Sequence, residues 1–204
     1  MRVLAVNGSP RKTWSTATLL ESALAGAASR GAETELIHLY DLTYKGCVSC
    51  FACKLKGGKS YGRCACTDEL APLLDAVEEI DALILGSPIY FGAVSGEMRS
   101  FMERLLFPRL AYTAPPKSLF PRRIRVGCIY TMNMRSAEEM QARGVTHHLA
   151  ANEQTLSMIF GQCEALHSVD TYQFSDYAKV VSDLFDVAQK VGLPRFDRHV
   201  HYAA

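Results

Sequence analysis

Five short apolar runs alternate along the chain with longer segments whose apolar residues recur at helical spacing. The short runs predict β-strands at 2–6, 34–39, 82–86, 124–131 and 164–171. The periodic segments predict helices at 16–29, 68–79, 96–107, 136–161 and 175–191, with Asp68 as the N-cap of the second and Gly144 as a break in the fourth. The stretch 41–66 and the tail from 192 have little periodicity, so we predict irregular structure there.

Regular alternation of strands and helices predicts an α/β architecture. Parallel strands need long, right-handed crossover connections, and such connections place helices on both faces of the sheet. We therefore predict a doubly wound five-stranded parallel sheet in three layers, with its ligand outside the carboxyl ends of the strands. The 204 residues should form one domain, 1–204, that carries a cysteine-rich loop at 46–66 and a proline-rich excursion at 108–121.

Composition narrows the range of partners. The chain is 49% hydrophobic and its formal net charge is +1, which gives no reason to expect nucleic acid or a membrane surface as partner. No apolar run approaches the roughly 20 residues that span a bilayer, and the first residues do not resemble a signal peptide. We therefore expect a cytoplasmic protein whose thiols stay reduced, which disfavours disulfides.

The loop that follows the first predicted strand has the residues of an anion site. The stretch NGSPRKTWSTAT, 7–18, presents backbone N–H groups at the start of a helix, where positive partial charge collects. Hydroxyls are available at Ser9, Ser15, Thr16 and Thr18, and positive charge at Arg11 and Lys12. The pattern is neither G-x-G-x-x-G nor a Walker loop, which disfavours a dinucleotide or ATP. An ordinary polar helix cap is the alternative.

The segment SPIYFG, 87–92, follows the third predicted strand, where the switch-point rule places a ligand. Pro88 stiffens the turn, and Gly92 permits close approach to the backbone. Tyr90 and Phe91 offer flat apolar surface to a planar ring system. The alternative is that both aromatic side chains are simply core residues.

These two segments, extended to GSPRKTWSTATL at 8–19 and GSPIYFGAVSGEMRSFMER at 86–104, resemble the flavodoxin-like NAD(P)H-dependent FMN reductase family. More narrowly, they resemble its iron–sulfur flavoprotein branch, over roughly residues 2–190. The resemblance implies the strand order 2-1-3-4-5. It implies that the FMN phosphate is held by Ser9, Arg11, Lys12, Ser15, Thr16 and Ala17, and that the isoalloxazine is lined by Pro88, Ile89, Tyr90, Phe91 and Gly92. Thr131 and Asn133, at the end of the fourth predicted strand, are placed on the other wall by position alone.

Five of the seven cysteines lie in the loop 46–66. Structural zinc sites usually draw cysteines from two separated pairs, whereas the C-x2-C-x2-C spacing of Cys47, Cys50 and Cys53 is more typical of iron–sulfur ligation. The resemblance implies a [4Fe–4S] cluster whose fourth ligand is Cys64, with Cys66 as second choice. Because the gap before Cys64 is longer than in that branch, a zinc site and free thiols stay open.

Two functions agree with these features. The first is an oxidoreductase that takes electrons from NAD(P)H or a reduced carrier and passes them through FMN to flavin, quinone or another small acceptor. The alternative is a flavodoxin-type electron carrier between protein partners, which Arg11 and Lys12 disfavour because flavodoxin phosphate loops typically use hydroxyls and amides alone. No catalytic side chain is required, since the flavin carries the chemistry. By resemblance, we expect a homodimer or a tetramer.

Overall fold

The computed structural model describes residues 1–171. Its strands are β1 Arg2–Asn7, β2 Glu33–His38, β3 Ala82–Tyr90, β4 Ala93–Val94, β5 Leu110–Ala111, β6 Lys117–Ser118, β7 Ile124–Thr131 and β8 Gly161–Ser168. Its helices are α1 Ser15–Ala28, α2 Ala71–Ala76, α3 Gly96–Leu106, α4 Ala137–Ala142 and α5 Val145–Phe160, with 3-10 turns at Leu39–Asp41 and Ala52–Lys54. The helix predicted at 175–191 and the irregular tail predicted from 192 lie outside the described residues.

The central sheet has the order β2-β1-β3-β7-β8, and each of these neighbouring pairs is parallel. This confirms the predicted flavodoxin-like α/β class and strand order. Alternate residues of β1 face opposite sides of the sheet, as a strand requires. Val3 and Ala5 pack against α1, whereas Leu4 and Val6 belong to the larger core that contains α2, α3 and α5. The sheet is therefore the middle of three layers.

The predicted end of the third strand, at Gly86, is wrong. β3 continues to Tyr90 because Pro88 pairs with Thr131 of β7, after which Tyr90 pairs with Ala93 in an antiparallel hairpin. The hairpin turn consists of Phe91 and Gly92, both with positive φ, 52° and 81°. Most of the segment predicted as an exit loop is thus strand, and only its last two residues turn.

The second predicted helix is shorter than expected, and Asp68 is not its cap. α2 begins at Ala71 with Leu70 as N-cap, because the Asp68 carboxylate closes a local turn to the Leu70 N–H and pairs with Arg104. The fifth strand begins three residues earlier than predicted. Gly161, at φ 123°, turns the chain directly from α5 into the sheet, where it pairs with Ile124.

The other predicted elements agree with the structure. Gly144, at φ 72°, separates α4 from α5 as predicted. The cysteine-rich segment is irregular apart from one 3-10 turn, and the proline-rich excursion contains the small antiparallel pair β5–β6. Among residues 1–171, no helix has both the length and the apolar character needed to cross a membrane.

We expect Gly86→Ala to destabilise the fold, because β3 lies against α1 at this point. An added Cβ would stand 2.5 Å from Leu20 Cδ1 and 2.8 Å from Leu20 Cγ. Overpacking of this kind costs about 1–3 kcal/mol. Urea unfolding followed by far-ultraviolet circular dichroism measures the change.

Gly26→Ala, on α1, is the matched control. A Cβ added at this position meets no neighbouring side chain or packed segment of the described residues within 4 Å. This substitution should stabilise the protein by about 0.5–1 kcal/mol, because alanine favours a helix interior over glycine. If Gly86→Ala unfolds at the wild-type urea concentration, the close approach of β3 and α1 is contradicted.

Candidate functional site

The segment after β1 is held in a tight turn by its own polar side chains. Asn7 Oδ1 accepts a hydrogen bond from the Ser9 N–H at 2.9 Å, and Ser9 Oγ accepts one from the Arg11 N–H at 3.1 Å. Asn7 and Ser9 are both buried. The Gly8 N–H donates to the Gly86 carbonyl at 2.8 Å, which ties this turn to β3. The chain is thereby directed across the carboxyl edge of the sheet into α1.

The first turn of α1 is favourable to an anion. Within residues 1–171 no side chain caps this helix, and its first turn carries no acidic residue. Its leading N–H groups and the positive end of its dipole therefore face the turn from β1. Thr16 Oγ1 lies 2.7 Å from Thr131 Oγ1, which joins the start of α1 to the end of β7.

Arg11 places a positively charged side chain in this part of the structure. Its Nε is buried and has no hydrogen-bond partner within the described part of the chain, and its guanidinium lies 5.7 Å from the centroid of the Trp14 ring. A buried donor without a partner is costly, so a ligand with an acceptor oxygen would satisfy it.

One cleft joins the two segments that were predicted to bind opposite ends of the ligand. It is lined by Ser9, Arg11, Trp14, Ser15, Thr16, Pro88, Ile89, Tyr90, Thr131, Met132, Asn133 and Thr171. The parallel pairing of Pro88 with Thr131 places the ends of β3 and β7 side by side. The cleft is therefore at the carboxyl edge, where the topology predicts a ligand site.

Four of the predicted cofactor residues lie outside the lining of this cleft. Ala17 is buried in α1, and Lys12 Nζ is 2.5 Å from Asp41 Oδ1. Phe91 is fully exposed at the tip of the β3–β4 hairpin, next to Gly92.

Two serines that the sequence reasoning missed hold the cleft walls in place. Ser95 Oγ donates to the Gly8 carbonyl at 2.5 Å and accepts from the Met98 N–H at 3.3 Å, so it caps α3 while gripping the turn after β1. The Ser95 N–H in turn donates to Ser87 Oγ at 3.0 Å. A serine immediately before the predicted helix at 96–107 was the available signal for this cap.

The five cysteines of the loop 46–66 line one small pocket that is distinct from the cleft. Its lining comprises Cys47, Val48, Cys50, Phe51, Cys53, Cys64, Ala65, Cys66, Arg104, Phe107 and Pro108. Burial raises the pKa of the Cys53 and Cys66 thiols. The other two cysteines, Cys128 and Cys163, lie on β7 and β8 with their sulfurs 3.8 Å apart.

Two cations border the thiol pocket. Arg104 is 1% exposed and donates through Nε to Cys64 Sγ at 3.3 Å. Its bond to Asp68, at 2.5 Å, lowers the pKa of that carboxyl. Lys54 Nζ donates to the carbonyls of Phe107 and Leu110, and burial lowers its pKa. Positive charge is therefore available to sulfur ligands in this pocket.

Among the described residues, no group of three or more His, Cys, Asp or Glu side chains is arranged to hold a metal ion. The donor set itself, five cysteines from one loop, is the chemistry of iron–sulfur ligation.

Comparison with known proteins agrees with this geometry. The family model for NADPH-dependent FMN reductase matches residues 1–141. An iron–sulfur flavoprotein from Methanocaldococcus jannaschii is 38% identical over 104 residues, 51% of each chain. One from Archaeoglobus fulgidus is 38% identical over 110 residues, 54% of this chain and 51% of its own. The match thus spans about half the length of these curated relatives.

Solved structures share the fold at low sequence identity. An NAD(P)H:quinone oxidoreductase from Methanothermobacter marburgensis superposes with a TM-score of 0.69 at 12% identity, covering 86% of this chain and 90% of that one. An FMN-dependent NADH-azoreductase from Bacillus anthracis, in complex with FMN, gives 0.64 at 11% identity, covering 94% and 97%.

The chain belongs to the NADPH-dependent FMN reductase family. Its curated relatives carry the name iron–sulfur flavoprotein, which confirms the branch that the sequence resembled. The cleft fits FMN: within residues 1–171 the α1 terminus has no side-chain cap and Arg11 Nε has no hydrogen-bond partner, which suits a phosphate, and the wall formed by Pro88, Ile89 and Tyr90 suits a planar ring.

We expect Arg11→Gln to weaken FMN binding, because the side chain loses its charge while keeping much of its length. Loss of a charge-assisted hydrogen bond of about 1.5–3 kcal/mol corresponds to a dissociation constant about 10–150-fold higher. Quenching of flavin fluorescence on titration measures this constant.

Lys12→Gln is the control, since Lys12 pairs with Asp41 outside the cleft lining. The dissociation constant for FMN should change by less than about threefold in Lys12→Gln, because this substitution removes only an exposed ion pair. An equal or larger effect of Lys12→Gln would show that Lys12, and not Arg11 alone, binds the phosphate.

Proposed function

We propose that this protein is an FMN-dependent oxidoreductase. It takes electrons from NAD(P)H or a reduced carrier and delivers them to flavin, quinone or another small acceptor. A [4Fe–4S] cluster on Cys47, Cys50, Cys53 and Cys64 serves as its second redox centre.

The observation that carries this proposal is the convergence of two chemically different walls in one cleft. One wall contains the buried Nε of Arg11 and the first turn of α1. Neither has a side-chain partner in the described part of the chain, and together they favour a dianion. The other is the edge of β3, where Pro88, Ile89 and Tyr90 present a largely apolar strip. A phosphate joined to a flat, partly apolar ring system matches both walls.

Bound FMN would supply the redox chemistry, and the residues of this chain bind and orient it. Arg11, Ser9 and the first N–H groups of α1 would hold the phosphate. The Thr16–Thr131 hydrogen bond fixes the distance between the phosphate end and the β7 wall. The Ser95 bonds to Gly8 and to α3 keep the turn after β1 in one position, so the site is preorganised.

The cluster proposal is supported by the thiol pocket and its charges. The loop supplies more thiols than one cubane needs, and Arg104 and Lys54 lie beside them. Thiolate ligands add negative charge, which buried cations offset. Cys47, Cys50, Cys53 and Cys64 would hold the cluster, and Cys66 would remain as a spare thiol.

Anaerobic purification followed by turnover assays tests the proposed activity. We expect about one FMN per chain, iron and sulfide in addition, and NADPH or NADH oxidation that depends on an added quinone or flavin, with many turnovers per chain. A colourless protein that FMN does not bind would contradict the enzyme assignment. Bound FMN that is reduced once and passes electrons only to a protein partner would instead indicate a flavodoxin-type carrier.

Cys50→Ser tests the cluster separately from the flavin. Cys50 is exposed in the thiol pocket, so its substitution should leave the fold intact while removing most of the iron and sulfide. FMN content should not change, because Cys50 lies outside the cleft lining.

Cys163→Ser is the matched thiol control, on β8 and away from the pocket. It should keep iron, sulfide and FMN at the wild-type ratio. Equal iron in both variants would contradict a cluster on the loop 46–66.

A further inference from the structure

Arg104 is a fully buried cation in the middle of an amphipathic helix. Its neighbours Phe101 and Leu105 on α3 face the core, as the helical periodicity predicts, and the guanidinium is buried beside them at 1% exposure. A buried charge is stable only when it is paired and hydrogen-bonded. The hydrogen-bond partners of Arg104 therefore indicate its role in the structure.

Within residues 1–171, the hydrogen-bond partners of this guanidinium all belong to the stretch 45–68, which comprises the cysteine loop and its two flanks. Nη1 donates to the Lys45 carbonyl at 3.2 Å and to Asp68 Oδ2 at 2.5 Å. Nη2 donates to the Cys66 carbonyl at 3.3 Å, and Nε donates to Cys64 Sγ at 3.3 Å. One rigid planar group thus fixes the chain just before Cys47 and again at Cys64 and Cys66.

The guanidinium donates to different atoms of the last two cysteines of the loop. Its hydrogen bond to Cys64 goes to the sulfur, whereas its hydrogen bond to Cys66 goes to the backbone carbonyl. A hydrogen bond to the sulfur itself orients that sulfur, whereas a hydrogen bond to the carbonyl holds only the backbone. The same group therefore orients the Cys64 sulfur and holds Cys66 through its backbone.

We propose that Arg104 is the positioning residue that makes Cys64, and not Cys66, the fourth ligand of the cluster. This inference rests on the proposed [4Fe–4S] site. It accounts for a fourth cysteine that follows the third only after the ten-residue stretch 54–63, which is rich in glycine and lysine. Across such a gap, sequence spacing alone cannot bring the ligand into place, whereas the buried, planar guanidinium of Arg104 on α3 can.

The test compares serine substitutions of the two cysteines with and without the guanidinium. Cys64→Ser and Cys66→Ser are each made in the wild type and together with Arg104→Lys, which keeps the charge near Asp68 but lacks the planar fork. All four proteins are reconstituted with iron and sulfide under anaerobic conditions. Cluster retention is then read from visible absorbance during titration with an iron chelator, with FMN content as the internal reference.

With Arg104 present, we expect Cys64→Ser to lose its cluster at about a tenfold lower chelator concentration than Cys66→Ser, as loss of a charge-assisted interaction implies. With Arg104→Lys, the two serine variants should lose their clusters at similar concentrations. FMN content should stay constant throughout, because Arg104 lies outside the cleft lining.

Arg109→Lys separates this positioning role from a general effect of shortening a buried arginine. Arg109 is also buried, but it pairs with Glu78 at 3.1 Å and with the carbonyls of Leu74 and Leu105, and within residues 1–171 it makes no hydrogen bond to a cysteine. The preference for Cys64 over Cys66 should survive in this background.

Three results would overturn the assignment. A Cys64 preference that persists in Arg104→Lys, or one that also disappears in Arg109→Lys, contradicts the role of Arg104 while leaving the cluster proposal intact. A wild-type protein that binds FMN but takes up no iron contradicts the cluster itself, and the role of Arg104 with it.

Discussion

Parallel pairing of β1, β3 and β7 is the constraint on which the rest of the structure depends. It brings the carboxyl ends of three strands to one edge, so that Asn7, Tyr90 and Thr131 each end a strand beside the same cleft. The Gly8–Gly86 and Thr16–Thr131 hydrogen bonds then lock the turn after β1 and the start of α1 onto that edge. Without this register the turn after β1 and the end of β3 would not line the same cleft.

Two arginines with buried guanidinium nitrogens differ in how those nitrogens are satisfied. Arg104 has a partner for each of its nitrogens, so it holds a piece of chain in a fixed position. Arg11 has a buried Nε that no described group satisfies, so it is poised for a ligand. The first contributes to the architecture of the thiol pocket, and the second to the affinity of the cleft.

Local patterns in the sequence predicted the parallel sheet, and the family resemblance supplied its strand order and most of the cleft residues. Apolar runs reveal strands, and the turn after β1 carries its chemistry in adjacent residues. The extension of β3 to Tyr90 could not be predicted, because it depends on pairing with other segments. Pro88 pairs with Thr131, which is distant in sequence, and Tyr90 pairs with Ala93, which lies beyond the hairpin turn. The same is true of Asp68, whose cap-like position is overridden by Arg104 on α3.

Long-range partners also explain which of the predicted site residues line the cleft. Lys12 follows Arg11 in sequence and has the same charge, yet only Arg11 lines the cleft, because Asp41 pairs with Lys12. The burial of Arg104 was equally hidden, since a charged residue in a helical segment ordinarily indicates the solvent face. Only the packing of the cysteine loop against α3 reveals its role.

A crystal structure of the protein grown with FMN tests the central claim most directly. We expect the phosphate between Ser9, Arg11 and the first turn of α1, and the ring system along Pro88, Ile89 and Tyr90. FMN bound at another surface, or an empty cleft at saturating FMN, would contradict it.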